Sequence, residues 1–215
     1  MGVKERKARQ KKFLRQEILE AASELFVKEG YENVSMRRIA EKIEYSPTTI
    51  YIYFKDKAEL FQALVDHAHD ERFRLMQEAA SRGQTIAEKL EEVVTTIFEF
   101  SLRNRELMRL AFATAFAAEG EAPGHTHCKE KGRRNFEFLR SLIEEGQVSG
   151  QLSSDFTADE LTMGIYGQLN SYVMIRLLVP DCPLNRQTAK QVVRLFSEGA
   201  GRRPGEQKNG SGRHH

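Results

Sequence analysis

The fold is decided by residues 34–61, which read VSMRRIAEKIEYSPTTIYIYFKDKAELF. Ser35 and Ser46 each precede a short run in which apolar residues recur at helical spacing, and a serine hydroxyl in that place caps the free N–H groups of a helix. Pro47 follows Ser46 at the first helical position, where a missing N–H is no loss. Glu44 lies in the break between the two runs. The stretch therefore predicts two short helices joined by a tight turn.

Helical periodicity continues on both sides of this stretch. Upstream, apolar residues from Leu14 to Phe26 recur at helical spacing and Gly30 follows as a cap, which predicts a first helix over residues 10–29. Downstream, Asp56 caps a fourth helix, and the same signals predict a helix that starts at Thr85 with apolar residues as far as Phe98. Further helices are predicted over residues 105–118, 128–145 (ended by Gly146) and 158–179, and Asn185 caps a last helix that ends near Glu198. No internal repeat and no alternation of strand and helix is present. We predict an all-α protein of about nine helices.

The composition excludes several classes of protein. The chain has 215 residues with 33 Lys and Arg against 31 Asp and Glu, and 40% of its residues are hydrophobic, as in globular proteins. No run approaches the roughly 18–20 apolar residues that cross a bilayer, and the N-terminus lacks the apolar block of a secretory signal. The two cysteines, Cys128 and Cys182, cannot form a disulfide framework. We expect a cytoplasmic protein with no membrane partner.

Positive charge is concentrated at the N-terminus. Seven basic side chains against the carboxylate of Glu5 give residues 1–15 a net charge of 7 − 1 = +6. This segment is either a frayed, solvated terminus or an arm that binds phosphates and releases their counterions. Residues 200–215 are rich in Gly and basic residues and have almost no apolar side chains, which predicts a disordered tail.

A supporting helix followed by two short helices and a tight turn is the arrangement that places a helix in the major groove of DNA. On the second short helix, hydroxyl groups can reach phosphates or base edges and ring carbons can pack on thymine methyl groups, while cationic side chains flank it. The alternative is a solvated subdomain with ordinary surface tyrosines. The predicted DNA-binding residues are Arg37, Arg38, Ser46, Pro47, Thr48, Thr49, Tyr51, Tyr53, Lys55 and Lys57.

The sequence over about residues 12–61 resembles the DNA-binding signature of the TetR family. The resemblance is carried by Ile39-Ala40, Ser46, Ile50-Tyr51, Tyr53-Phe54, Lys57 and Glu59-Leu60, and upstream by Ile18, Ala21-Ala22, Leu25-Phe26 and Gly30-Tyr31. It implies a homodimeric transcriptional regulator, usually a repressor, whose C-terminal domain binds a small molecule and releases operator DNA. Residues 1–55 would then form the DNA-binding domain with its basic arm, and residues 56–199 the helical effector-binding and dimerisation domain.

The resemblance also implies individual roles. Arg37 would contact bases from the start of its helix, Thr48, Thr49 and Tyr51 would lie in the groove, and Tyr53 and Lys57 would hold phosphates. Glu44 departs from the family pattern, because glycine is frequent at this position of the turn. Either Glu44 adopts a positive φ at a cost of roughly 1 kcal/mol, or the turn has another shape.

The last two helices are predicted to form a dimer interface. The resemblance implies this, and a single helix-turn-helix contacts too few bases for tight specific binding. The two reading helices of a dimer must lie about 34–36 Å apart, or a multiple of that distance. The alternative is that these side chains are intramolecular core. The predicted interface residues are Leu161, Ile165, Leu169, Tyr172, Val173, Arg176, Val192 and Phe196.

An effector pocket is predicted among the middle helices, where Phe and Met residues are frequent. Such a pocket would take an apolar or aromatic effector that Asn170 or Tyr166 orients, although the same side chains would also suit a solid core. A solid core would favour a second kind of DNA-binding regulator, one controlled by a protein partner or by its own abundance. The candidate pocket residues are Phe98, Leu102, Met108, Phe112, Phe116, Phe136, Leu139, Tyr166, Asn170 and Met174.

Enzymatic functions and cofactors are not predicted. The sequence contains no glycine-rich phosphate loop, no His-Glu-x-x-His zinc helix and no nucleophile elbow. The cluster His125-Thr-His-Cys128 contains good ligands for zinc, but no second cluster supplies the remaining ligands, so we predict no metal site.

Overall fold

The computed structural model describes residues 2–109, 125–179 and 181–200, and within these ranges it contains helices, turns and short loops but no strand. The all-α prediction is confirmed. None of the helices in these ranges is long and apolar enough to pass through a membrane. The helices are α1 (Val3–Glu29), α2 (Met36–Lys42), α3 (Pro47–Tyr51), α4 (Lys57–Ala80), α5 (Ile86–Arg103), α6 (His125–Val148), α7 (Ala158–Leu178) and α8 (Arg186–Ala200), and residues 105–109 are also helical.

Helix α1 begins at Val3, seven residues before the predicted start. The added segment, residues 3–9, consists mostly of Lys, Arg, Glu and Ala, which have high helix propensity. The backbone N–H of Gly2 donates to the carboxylate of Glu5 at 2.9 Å, which satisfies one free donor of the first turn. The basic segment is therefore the first three turns of a helix.

Serine caps begin both short helices, as predicted. The Ser35 hydroxyl accepts the N–H of Arg38 at 3.1 Å, and the Ser46 hydroxyl accepts the N–H of Thr49 at 3.2 Å. Each bond satisfies an N–H that has no partner inside its helix, and such a cap stabilises a helix by about 1 kcal/mol. These caps matter because α2 and α3 have only seven and five residues.

The turn between α2 and α3 contains a left-handed residue. Glu44 has φ of 59° and is the only residue other than glycine with positive φ in the described ranges. Its N–H donates to the carbonyl of Glu41 at 3.2 Å, and the N–H of Tyr45 donates to the carbonyl of Ala40 at 3.0 Å. This is the Schellman arrangement, in which glycine is usual at the left-handed position. The first of the two alternatives for Glu44 is therefore correct.

The N-terminal helices share one hydrophobic core. Ile18, Ile39 and Ile50 from the first three helices are fully buried, and Phe54 and Leu60 extend the core to α4. Burying each such side chain contributes about 1.5–3 kcal/mol. The core fixes α3 on the two helices before it, so that the other side of α3 faces solvent.

The described residues divide into two compact units. The first unit takes those of the segments Met1–Gln77 and Thr96–Asn135, and the second those of Glu78–Thr95 and Phe136–His215. Helices α4, α5 and α6 therefore contribute residues to both units. This division does not follow the predicted boundary between residues 55 and 56, because packing continues past the sequence motif along α4.

In the second unit, the buried apolar residues include Leu90, Leu139, Ile143, Ile165 and Val192. A capping box begins α7, as predicted from the sequence. The Thr157 hydroxyl accepts the N–H of Glu160 at 3.2 Å, and the Glu160 carboxylate accepts the N–H of Thr157 at 2.7 Å. The box fixes the point at which the chain enters α7.

One predicted helix end is wrong. Helix α6 passes through Gly146 and ends at Val148, and the glycine with positive φ is Gly150, at 72°. A side chain at Gly146 would meet Leu152 at 2.7 Å. A Cβ at Gly146 would force the Leu152 side chain to shift, whereas Gly150 supplies the conformational freedom that the end of the helix needs.

Candidate nucleic-acid interface

Helix α3 presents a polar edge to solvent. Thr48 and Tyr51 are exposed, with Tyr51 at 54%, while Ile50 between them is fully buried. Pro47 and Thr49 are half-buried, and the hydroxyl groups of Ser46 and Thr49 lie 2.9 Å apart, within hydrogen-bond distance. Thr48 and Tyr51 thus present exposed side chains on this edge, whereas the exposed Ser46 uses its hydroxyl to cap the helix.

The structure adds an apolar residue to this edge that the sequence analysis missed. Ile52, which directly follows α3, is 69% exposed, whereas Ile50 and Phe54 on either side of it are buried. An exposed isoleucine beside a reading helix can pack on the methyl group of thymine. The signal was present in the sequence, since Ile50 and Phe54 are four residues apart and Ile52 falls outside their helical face.

The two arginines of α2 differ in their surroundings. The Arg37 side chain is 80% exposed and its Nε lies 3.2 Å from Glu41 Oε1, an exposed pair that is worth only about 0.3–0.5 kcal/mol and exchanges readily for a base or a phosphate. Arg38 binds Glu29 of α1 through two nitrogens, at 3.1 and 3.5 Å. This hydrogen bonding to Glu29 raises the pKa of Arg38. Arg38 therefore ties α2 to α1, and its DNA contact stays a prediction.

The two lysines after α3 also differ. Lys57 donates from Nζ to the carbonyls of Tyr31 at 2.9 Å and Glu32 at 3.4 Å, and its Nζ lies 4.3 Å from the centroid of the Tyr31 ring. An ammonium group has three N–H donors, so one is left for a phosphate. Lys55 has an exposed side chain, and its backbone N–H donates to Glu59 at 2.7 Å. Tyr53 is half-buried. Phosphate binding by these residues stays a prediction.

Most of the predicted dimer-interface residues are buried inside the second unit. Tyr172 and Arg176 are half-buried, and the other six are at most 7% exposed within a single chain, so they are core residues of that unit rather than a free surface. The exposed apolar residues of α7 are Met163, Ile175 and Leu178, which lie on another side of the helix. The six buried residues are Leu161, Ile165, Leu169, Val173, Val192 and Phe196.

The predicted pocket residues have unlike surroundings. In the first unit, Phe98 is fully buried, Leu102 is exposed and Met108 is half-buried. In the second unit, the Phe136 and Tyr166 rings meet edge to face with centroids 5.9 Å apart. Among the other predicted pocket residues of the second unit, Leu139 is buried, Met174 is half-buried and Asn170 is exposed. Phe112 and Phe116 lie outside the described residues, as do the side chains of His125, His127 and Cys128.

A buried polar residue in α6 was also missed. Asn135 is 2% exposed, and in the described part of the chain neither its amide nitrogen nor its amide oxygen has a hydrogen-bond partner. A buried polar atom without a partner costs about 1–3 kcal/mol. The sequence holds a clue, since Asn135 precedes Leu139 by four residues and falls on the apolar side of its helix.

A capped recognition helix on an Ile and Phe core, with exposed hydroxyl, aromatic and guanidinium groups at its edge, defines a helix-turn-helix DNA-binding protein. Residues 18–64 match the sequence profile of the bacterial regulatory proteins of the tetR family. Over these residues the chain is similar to the helix-turn-helix segment of TetR-family transcriptional regulators, and its relatives include proteins described as HTH-type transcriptional regulators.

Similar proteins were found by sequence and by structure. The uncharacterized HTH-type transcriptional regulator YuxN of Bacillus subtilis is 25% identical over 167 residues, which cover 75% of this chain and 54% of YuxN. A regulator of the TetR/AcrR family from Thermobifida fusca has a TM-score of 0.68 at 24% identity, covering 87% of this chain and 98% of its own. FadR of Bacillus subtilis, solved in complex with stearoyl-CoA, has a TM-score of 0.71 at 21% identity, and the match covers 86% of this chain and 98% of the FadR chain.

Proposed function

We propose that this regulator is a homodimer that binds operator DNA in a sequence-specific manner through α3 and represses transcription until a small apolar or aromatic effector releases it. Residues 1–55 are the DNA-binding domain and residues 56–199 the effector-binding and dimerisation domain. The observation that carries the proposal is the accessible edge formed by Thr48, Tyr51 and Ile52 on a helix fixed by a serine cap and a buried isoleucine. Because its partner is the chromosome, the protein acts in the cytoplasm.

The DNA-binding proposal is tested by selecting duplexes from a random pool and by gel-shift assays on the promoter region beside the protein's own gene. We expect a selected duplex to compete at least 10³-fold better than random DNA at moderate salt. Thr48→Ala and Tyr51→Ala should reduce this ratio, whereas Thr85→Ala, in the loop before α5, should not. Equal binding of all duplexes would contradict the proposal.

Dimerisation is supported by the exposed side of α7. Met163, Ile175 and Leu178 are apolar and exposed there, and between them a Cβ built on Gly164 or Gly167 would meet nothing within 4 Å. A second chain can therefore approach this side closely. Gly167→Glu leaves the single chain unstrained and should convert a dimer to a monomer in analytical ultracentrifugation. Gly132→Glu, a matched change in α6 where a Cβ also meets nothing, should remain dimeric. A dimeric Gly167→Glu protein would contradict this interface.

Control by an effector is supported by two observations. FadR of Bacillus subtilis, which has the same fold, was solved with stearoyl-CoA. Asn135 is buried and neither of its amide atoms has a hydrogen-bond partner among the described residues, and a bound ligand would supply such partners. Thermal-shift screening of acyl and aromatic compounds should identify binders that also release the selected duplex. If no compound changes duplex affinity, the regulator responds to a protein partner or to its own abundance.

A further inference from the structure

Helix α1 and the segment around α3 enclose a groove of about 820 Å³ on the surface of the first unit. Its apolar lining includes Phe13 and Ile52, which are 66% and 69% exposed, and also Tyr45. Its cationic lining comes from the first turns of α1, at Lys7, Arg9 and Lys11. Exposed aromatic and aliphatic groups bordered by cations suit a ligand that has both apolar rings and negative charge.

Two groups of basic side chains in the first unit, those of α2 and those of the groove, differ in their partners. Those of α2 already have acidic partners: Arg37 binds Glu41, Arg38 binds Glu29, and Lys42 lies 2.7 Å from Glu24. In contrast, the three cations of the groove form no ion pair with any described residue. A cation without an internal partner can neutralise a phosphate without first giving up a carboxylate, so the second group is the better source of electrostatic affinity.

We infer that the first three turns of α1 hold the sugar–phosphate backbone of duplex DNA in this groove, and that Lys7, Arg9 and Lys11 carry the sequence-independent part of the affinity. Phosphates pair with the three cations while deoxyribose rings pack on Phe13. The inference rests on the proposed DNA-binding function and adds a division of labour to it. Helix α3 selects the sequence, and α1 supplies most of the salt-dependent affinity.

The contribution of the three cations to DNA affinity is tested with a triple variant, Lys7→Gln, Arg9→Gln and Lys11→Gln, in the full-length protein. Glutamine has a helix propensity close to those of Lys and Arg, so α1 is retained, as circular dichroism can verify. Binding to a labelled random-sequence duplex is measured by fluorescence anisotropy between 50 and 200 mM KCl. The slope of log K against log salt should decrease in magnitude by about 2.7 per bound protomer, at 0.9 per phosphate lost.

A matched control removes the same number of charges elsewhere. The triple variant Lys28→Gln, Arg133→Gln and Lys190→Gln also loses three positive charges from exposed positions. Lys28 lies near the other end of α1, about 31 Å from Lys7 along the helix. We expect this variant to keep the wild-type slope within 0.5. A groove variant whose slope changes by less than 1, or by no more than that of the control, would overturn the inference.

The apolar contribution is tested separately with Phe13→Ser, for which Val148→Ser at a 91% exposed position is the control. Removing the exposed ring should weaken binding about tenfold at every salt concentration without changing the slope. Unchanged affinity would overturn the placement of the backbone in the groove. Because these assays use random DNA, they are independent of operator selection. A wild-type slope in the groove variant together with a selected operator would refute the inference and leave the proposed function standing.

Discussion

The left-handed conformation of Glu44 gives a quantitative test of the turn that positions α3. With φ of 59°, its Cβ is held close to backbone oxygen, which costs a residue other than glycine about 1–2 kcal/mol. Glu44→Gly removes this strain but adds about 0.5–1 kcal/mol of chain entropy to the unfolded state. The net change is a gain of about 0.5–1 kcal/mol in the free energy of unfolding, which for a chain of this length raises Tm by about 1–4 °C.

The assay is urea and thermal denaturation followed by circular dichroism, with Glu44→Ala as the matched control. Alanine removes the carboxylate but keeps the Cβ, so its stability should stay within about 0.3 kcal/mol of the wild type. The side chain of Glu44 is exposed and the backbone bonds of the turn do not involve it, so affinity for the selected duplex should change less than threefold in either variant. If the glycine and alanine variants were equally stable, the reasoning from φ would be refuted.

Three further predictions concern binding and stability. Arg37→Ala should weaken binding to the selected duplex at least tenfold and binding to random DNA by less than twofold, because the exposed guanidinium of Arg37 can reach a base. Equal losses on both duplexes would show that Arg37 binds phosphate. Asn135→Leu removes two buried polar atoms that have no partner among the described residues, so it should raise the unfolding free energy of the ligand-free protein by about 1–3 kcal/mol while abolishing release by the effector; a lower Tm would mean that the amide is satisfied in solution. Hydrogen bonds from backbone N–H groups lower the pKa values of Glu88 and Glu160, so the stability that these carboxylates provide is present above their ordinary pKa and is lost as the pH falls through the lowered value. The double variant Glu88→Gln and Glu160→Gln should therefore be less stable than the wild type at pH 7, and the difference should close as the pH falls below the ordinary carboxyl pKa of about 4.5 in denaturation experiments; a difference independent of pH would contradict this.

The prediction of the site was least complete for the exposure of individual side chains. Thr48 and Tyr51 lie at the exposed edge of α3, as their spacing from Ile50 predicts. Ile52 and Asn135 are absent from the predicted site residues. In the structure the isoleucine is exposed and the asparagine is buried, because packing of each position against its neighbours, and not residue type alone, decides its exposure.

The sequence by itself determined the helices, their caps and the DNA-binding module. The interactions responsible connect residues three or four apart, such as Ser46 with Thr49 and Thr157 with Glu160, and they form whenever the helix does. Helical periodicity likewise selects the buried side of each helix, which is why the Ile and Phe core was predictable.

Only the tertiary structure decided which basic side chains have partners within the chain and which side of α7 is exposed to solvent. Arg38 finds Glu29 nine residues away, and Lys57 finds the carbonyl of Tyr31 across 26 residues. Such pairs depend on which helices pack together and at what angle, and the spacing of residues along the chain does not encode either. For the same reason six of the eight predicted dimer residues are buried within the single chain: periodicity shows that a helix has an apolar side, and packing alone shows which neighbour covers it.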